Sequence, residues 1–107
     1  MVKNNNEVAL TLALTVSPAT IIVNGGPMQF YTGGVFDDPV CGHEMTHAIL
    51  AVGYGTDGGK DFYKAKNSWS EHWGENGYIR LKRGNATNAP GQCGVAQRAV
   101  VVKGKKK

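Results

Sequence analysis

A chain of 107 residues, 41% hydrophobic and 19% charged, has the composition of an ordinary globular domain with one modest core, which excludes wholesale disorder. Its net charge of +4 would suit a nucleic-acid or membrane partner, but Lys103, Lys105, Lys106 and Lys107 supply four of the twelve basic residues, and the other eight match eight acidic ones. No basic patch is interleaved with aromatics, and no apolar stretch approaches the roughly 20 residues of a membrane span, so neither partner is expected. The chain reads as a β-rich domain over 1–102 followed by a basic tail, 103–107.

In chain order, Lys3, an apolar run from Val8 to Val16 and then Ser17-Pro18-Ala19 mimic a secretion signal with its cleavage site. Val8, Leu10, Leu12, Leu14 and Val16 nevertheless alternate with Ala9, Thr11, Ala13 and Thr15, and that period of two predicts a strand over Val8–Val16. Asn24-Gly25-Gly26-Pro27 is a turn, and Asp57-Gly58-Gly59 is a hairpin connection. Further strands are expected over Thr20–Val23, His47–Gly53, Asp61–Lys66, Gly77–Lys82 and Arg98–Val102, separated by Gly, Pro, Asn and Asp clusters. Within Gly77–Lys82, Tyr78, Arg80 and Lys82 share one face and Ile79 and Leu81 the other, a strand with one wet side. The pattern is that of a mainly antiparallel β domain.

His47 and Asn67 carry the chemical signal. An imidazole that shuttles protons needs an orienting amide or carboxylate on its second ring nitrogen, and Trp69, two residues past Asn67, would keep water off that bond. His47-Ala48-Ile49-Leu50-Ala51-Val52-Gly53-Tyr54-Gly55, Lys66-Asn67-Ser68-Trp69 and Trp73-Gly74-Glu75-Asn76-Gly77-Tyr78-Ile79-Arg80-Leu81-Lys82-Arg83-Gly84 resemble the papain-like cysteine protease family. Phe30-Tyr31-Thr32-Gly33-Gly34-Val35-Phe36 and Cys93-Gly94-Val95 extend the resemblance over roughly 28 to 96, while Met1 to Pro27 matches poorly. Only the family's C-terminal half is resembled, so the implied fold is that half's antiparallel β-barrel-like domain (mainly β, of an α+β family) with little helix. The implied roles are His47 as general base and acid, Asn67 as its orienter and Trp69 as a shield. No cofactor is implied. The implied partners are a peptide or protein substrate, an N-terminal half bringing the nucleophilic cysteine, and protein inhibitors. Alone, the chain is expected not to hydrolyse peptides.

The resemblance also implies a disulfide between Cys41 and Cys93, which would suit a secreted, lysosomal or vacuolar compartment. Cysteine count alone does not establish the bridge, and the rival role for Cys41 is as a nucleophile, six residues before His47. Met45, Thr46 and Arg98 would line the pocket for the substrate's second side chain. Three departures stand out. Ser70 occupies a customary glycine position, Thr46 replaces the commoner Asp or Asn, and Lys64 interrupts a segment that is normally apolar.

Other motifs compete. His43-Glu44-Met45-Thr46-His47 fits the HExxH zinc-protease pattern, with Glu71 as the candidate third ligand, but that chemistry requires a helix where a strand is expected. Gly53-Tyr54-Gly55-Thr56-Asp57-Gly58 fits GxGxxG, yet another strand follows instead of the helix a dinucleotide site needs, so it is read as a turn. Asn85-Ala86-Thr87 is a glycosylation sequon whose meaning depends on secretion. His72 reads as an exposed loop residue, and Arg80, Lys82 and Arg83 as a solvated face. A non-catalytic binding or scaffold domain is the remaining alternative.

Overall fold

The computed structural model describes residues 2–102, so the basic tail lies outside the described residues. One helix and six strands form in the order α1 (Glu7–Leu14), β1 (Ala19–Val23), β2 (Val35–Phe36), β3 (His47–Asp57), β4 (Lys60–Lys66), β5 (Tyr78–Lys82) and β6 (Ala99–Val101). Short 3-10 turns at Pro27–Phe30 and Gln92–Gly94 complete them. The sheet order is β2-β5-β4-β3-β1-β6, curled as a half-barrel. All its pairings are antiparallel except β2 on β5.

The stretch Val8–Val16 is a helix at its core, not the expected strand. Six of the eight residues of Glu7–Leu14 are Glu, Ala or Leu, which form helices readily. Asn6 caps it, its side-chain oxygen accepting from the Ala9 N–H at 2.9 Å. Glu7, Leu10 and Leu14 face inward at helical spacing, while Leu12 and Val16 stay exposed. The large–small alternation misled because Ala9 and Ala13 also pack against the core. The run is therefore compatible with either period.

The other strands fall close to their expected places. Ile21, Val23, Ile49, Ala51, Tyr63, Ala65, Ile79, Leu81 and Ala99 point into one core with Leu10, Met28 and Val95. β3 runs on past Gly53, with a register shift between Ala51 and Gly53, so the GxGxxG stretch is mostly strand. The turn is confined to Gly58 and Gly59, whose φ of 59° and 83° meet the type I′ requirement for a two-residue hairpin. On β5, Ile79 and Leu81 are fully buried as expected. The opposite face is less solvated than expected. Arg80 is forked onto Glu75 at 2.9 Å and bound to Asp57 at 2.8 Å. Arg83 donates to the Phe62 and Gly55 carbonyls and lies over the Tyr54 ring. Lys64 is exposed, its ammonium 4.8 Å from the centre of the Tyr78 ring, so the polar substitution costs no burial.

α1 is tied to the sheet through a buried carboxylate. Glu7 is 5% exposed and accepts from the Tyr63 hydroxyl at 2.9 Å and the Gly84 N–H at 2.8 Å. Burial first, and then the negative charge of Glu7, push the Tyr63 phenol far above its ordinary value.

Candidate active site

His47 opens β3 opposite Val23 of β1, and Asn67 follows the last residue of β4. Twenty residues apart in sequence, they meet because the β3–β4 hairpin returns the chain to the point where β3 began. The His47 Nε2 lies 2.7 Å from the Asn67 Oδ1. Asn67 is 1% exposed, and its Oδ1 also accepts from the Ser68 N–H at 2.7 Å. A backbone N–H can only donate, so this second bond fixes which end of the carboxamide is oxygen. Nε2 must therefore be the protonated ring nitrogen, and in the neutral imidazole Nδ1 carries the free lone pair. The Asn67 Nδ2 is buried and has no acceptor among the described residues.

Trp69 stacks on His47 with ring centres 4.9 Å apart and planes 28° from parallel. Trp73 meets Trp69 edge-on at 5.1 Å and is itself anchored, its indole N–H donating to the Met28 carbonyl at 3.0 Å. Trp69 is thus held by a second indole and not by its own loop alone. Ser70 does not adopt a positive φ, and its hydroxyl accepts from the His72 N–H at 3.0 Å, so the missing glycine is accommodated.

Cys41 and Cys93 are joined at 2.04 Å, which removes Cys41 as a nucleophile. The bridge pins the loop before β3: the Asn24 side-chain amide donates to the Cys41 carbonyl, and the Asn24 N–H to the Cys93 carbonyl at 2.9 Å. Residues 43–46 are irregular and His47 is already strand, so the helix demanded by HExxH does not exist. Glu71 and His72 sit on an exposed turn, and no group of three His, Cys, Asp or Glu among the described residues could hold a metal ion.

Of the expected pocket residues, Met45 is 55% exposed and Arg98 is also exposed. The Arg98 carbonyl accepts from the Ile22 N–H at 3.3 Å, and Ile22 is in register with Ala48, so Ile22 and Ala48 extend from Arg98 toward His47 across the sheet. Thr46 faces the β1 end instead: its N–H donates to the Val23 carbonyl at 3.1 Å, and its hydroxyl accepts from the Gly25 N–H at 3.0 Å. Gly25, part of the turn expected over Asn24–Pro27, packs directly against the imidazole. A Cβ built there would lie 2.8 Å from the His47 Cβ, so the glycine gives the imidazole room. A cavity of about 370 Å³ lined by Thr20, Ala48, Leu50 and Asn67 adjoins the pair. A second, of about 350 Å³ and lined by Glu7, Asp38, Lys82, His43 and Asn85, includes none of His47, Asn67 or Trp69.

Residues 1–103 match the family described as papain family cysteine protease. The chain belongs to that family. The match takes in the stretch from Met1 to Pro27, where the motif resemblance is poor. Papaya proteinase 4 of Carica papaya is 47% identical over 96 residues, covering 88% of this chain and 27% of that protein. Chymopapain from the same plant is 48% identical with the same coverage. The structure of the bromelain protease from Ananas comosus in complex with the E64 inhibitor superposes with a TM-score of 0.85 at 41% identity, covering 92% of this chain and 46% of that one. The chain therefore spans about a quarter of the length of these curated papain-family relatives, and it corresponds to their C-terminal part.

Proposed function

We propose that this chain supplies the proton-transfer machinery of a papain-like peptidase, with His47 as general base and acid, Asn67 as its orienter and Trp69 as the cover over their bond. The observation that carries the reading is the Nε2–Oδ1 bond of 2.7 Å, reinforced by the Ser68 N–H on the same oxygen. It leaves Nδ1 free to hold a thiol proton and later give it to a leaving amine. Both cysteines of the 107 residues are locked in one bridge, so the thiolate comes from a separate segment carrying the family's nucleophile and oxyanion donors. The substrate is a peptide or protein, and protein inhibitors of such peptidases are expected to dock on the same face. Met45, Ile22, Ala48 and Arg98 form the wall that selects the substrate's side chain. The bridge suits maturation in a secreted, lysosomal or vacuolar setting.

The test is reconstitution. The chain alone shows no thiol-dependent peptide hydrolysis. Combined with a cysteine-bearing N-terminal half, it hydrolyses peptides, and His47→Ala lowers kcat/KM by on the order of 10² to 10⁴. Turnover by the isolated chain, or an unaffected His47→Ala complex, would refute the assignment.

A further inference from the structure

We propose that Asn85 is an N-glycosylation site, taking an oligosaccharide on its side-chain amide. Asn85-Ala86-Thr87 is the one Asn-x-Ser/Thr sequence in the chain, and no proline occupies its middle position. Its surroundings fit it for a large hydrophilic substituent. Gly84 and Ala86 are both tied to the start of α1: the Gly84 N–H donates to the Glu7 carboxylate at 2.8 Å, and the Ala86 carbonyl accepts from the Glu7 N–H at 2.8 Å. With the residues on either side both anchored to Glu7, Asn85 and Thr87 are exposed while Ala86 is half-buried. The stretch 83–86 is neither helix nor strand, so a substituent there interrupts no ladder. The Asn85 side chain makes no hydrogen bond among the described residues, so nothing in the fold competes for its amide.

In the reaction, the Asn85 Nδ2 attacks the anomeric carbon of a lipid-diphosphate-linked oligosaccharide. A C–N bond forms, the C–O bond to the diphosphate breaks, Nδ2 gives up one proton, and the lipid diphosphate leaves; nothing is oxidised or reduced. The glycan sits at the rim of the cavity lined by Glu7, Asp38 and Lys82, away from the lining that contains Asn67. It therefore shields the loop after β5 and leaves the depression beside the catalytic pair open. The inference rests on the secretory maturation proposed above.

The experiment expresses the full chain behind a secretory leader in a eukaryotic host and compares it with Asn85→Gln and Thr87→Ala. One discrete mass increment is expected, removed by amide-cleaving glycosidase with conversion of residue 85 to aspartate in the mapped peptide, and absent from both variants. A chain with its Cys41–Cys93 bridge formed but an unmodified Asn85 overturns the glycan and leaves the compartment reading standing. An unbridged and unmodified chain overturns both.

Discussion

Replacing Tyr63 with phenylalanine removes a single hydroxyl from a fully buried ring and leaves a buried carboxylate short of a donor. The hydroxyl donates to Glu7 at 2.9 Å, and the same carboxylate otherwise depends on the Gly84 N–H. A hydrogen bond to a charged group contributes about 1.5–3 kcal/mol, and ring packing is unchanged in the variant, so a loss of about 2 kcal/mol at pH 7 is expected. For a chain this small that lowers Tm by roughly 10 °C. The alkaline behaviour gives a second reading. Unfolded, Tyr63 releases its proton near pH 10.0, whereas burial and then the charge of Glu7 hold the folded phenol protonated well above that. Above pH 10 the unfolded state thus binds fewer protons, and wild-type stability falls by about 1.4 kcal/mol per pH unit from this group. The Phe variant lacks that component. Urea unfolding from pH 7 to 11, with a double-mutant cycle through Glu7→Gln, measures both. A loss below about 0.5 kcal/mol at pH 7, with an unchanged alkaline slope, would refute the buried network as a stabilising unit.

Replacing both Cys41 and Cys93 with serine opens a loop closed across 52 residues and should cost about 4 kcal/mol of stability, measured as a fall in the denaturant midpoint that reducing agent does not deepen. The fork from Arg80, and after it the Gly34 N–H, hold the Glu75 carboxyl below its usual 4.5. Its contribution is present above that pH and lost as pH falls through the lower folded value. Because the pair is partly exposed, Glu75→Gln should cost only about 0.5–1 kcal/mol at pH 7 and progressively less as the pH is lowered through the folded carboxyl's range, read from urea midpoints across an acid pH series.

How far the sequence revealed the molecule depended on whether the governing contacts were local. β1, β3, β4, β5 and β6 were legible because their residues alternate between a single core and solvent. The type I′ hairpin was legible because Asp57-Gly58-Gly59 states its own turn chemistry. α1 was not, because alanines beside leucines satisfy both periodicities, and what decides between them is the Asn6 cap and the anchoring of Glu7 on Tyr63, 56 residues away. β2 is two residues long and exists only through its parallel pairing with Arg80 and Leu81. At the candidate site, His47, Asn67 and Trp69 could be picked out by residue type and order. Gly25 was hidden because its meaning lies in what packs against it. Ile22 and Ala48 were hidden because cross-strand register, unlike a motif, is not written in any one segment.

The pairing of His47 with Asn67 is tested most directly by nitrogen NMR of the neutral His47 imidazole in the isotopically labelled chain. The expected spectrum is that of the Nε2–H tautomer, with a slowly exchanging ring proton that is lost, along with the tautomer preference, in Asn67→Ala. An imidazole protonated on Nδ1, or one whose tautomer is indifferent to Asn67→Ala, would contradict the pairing.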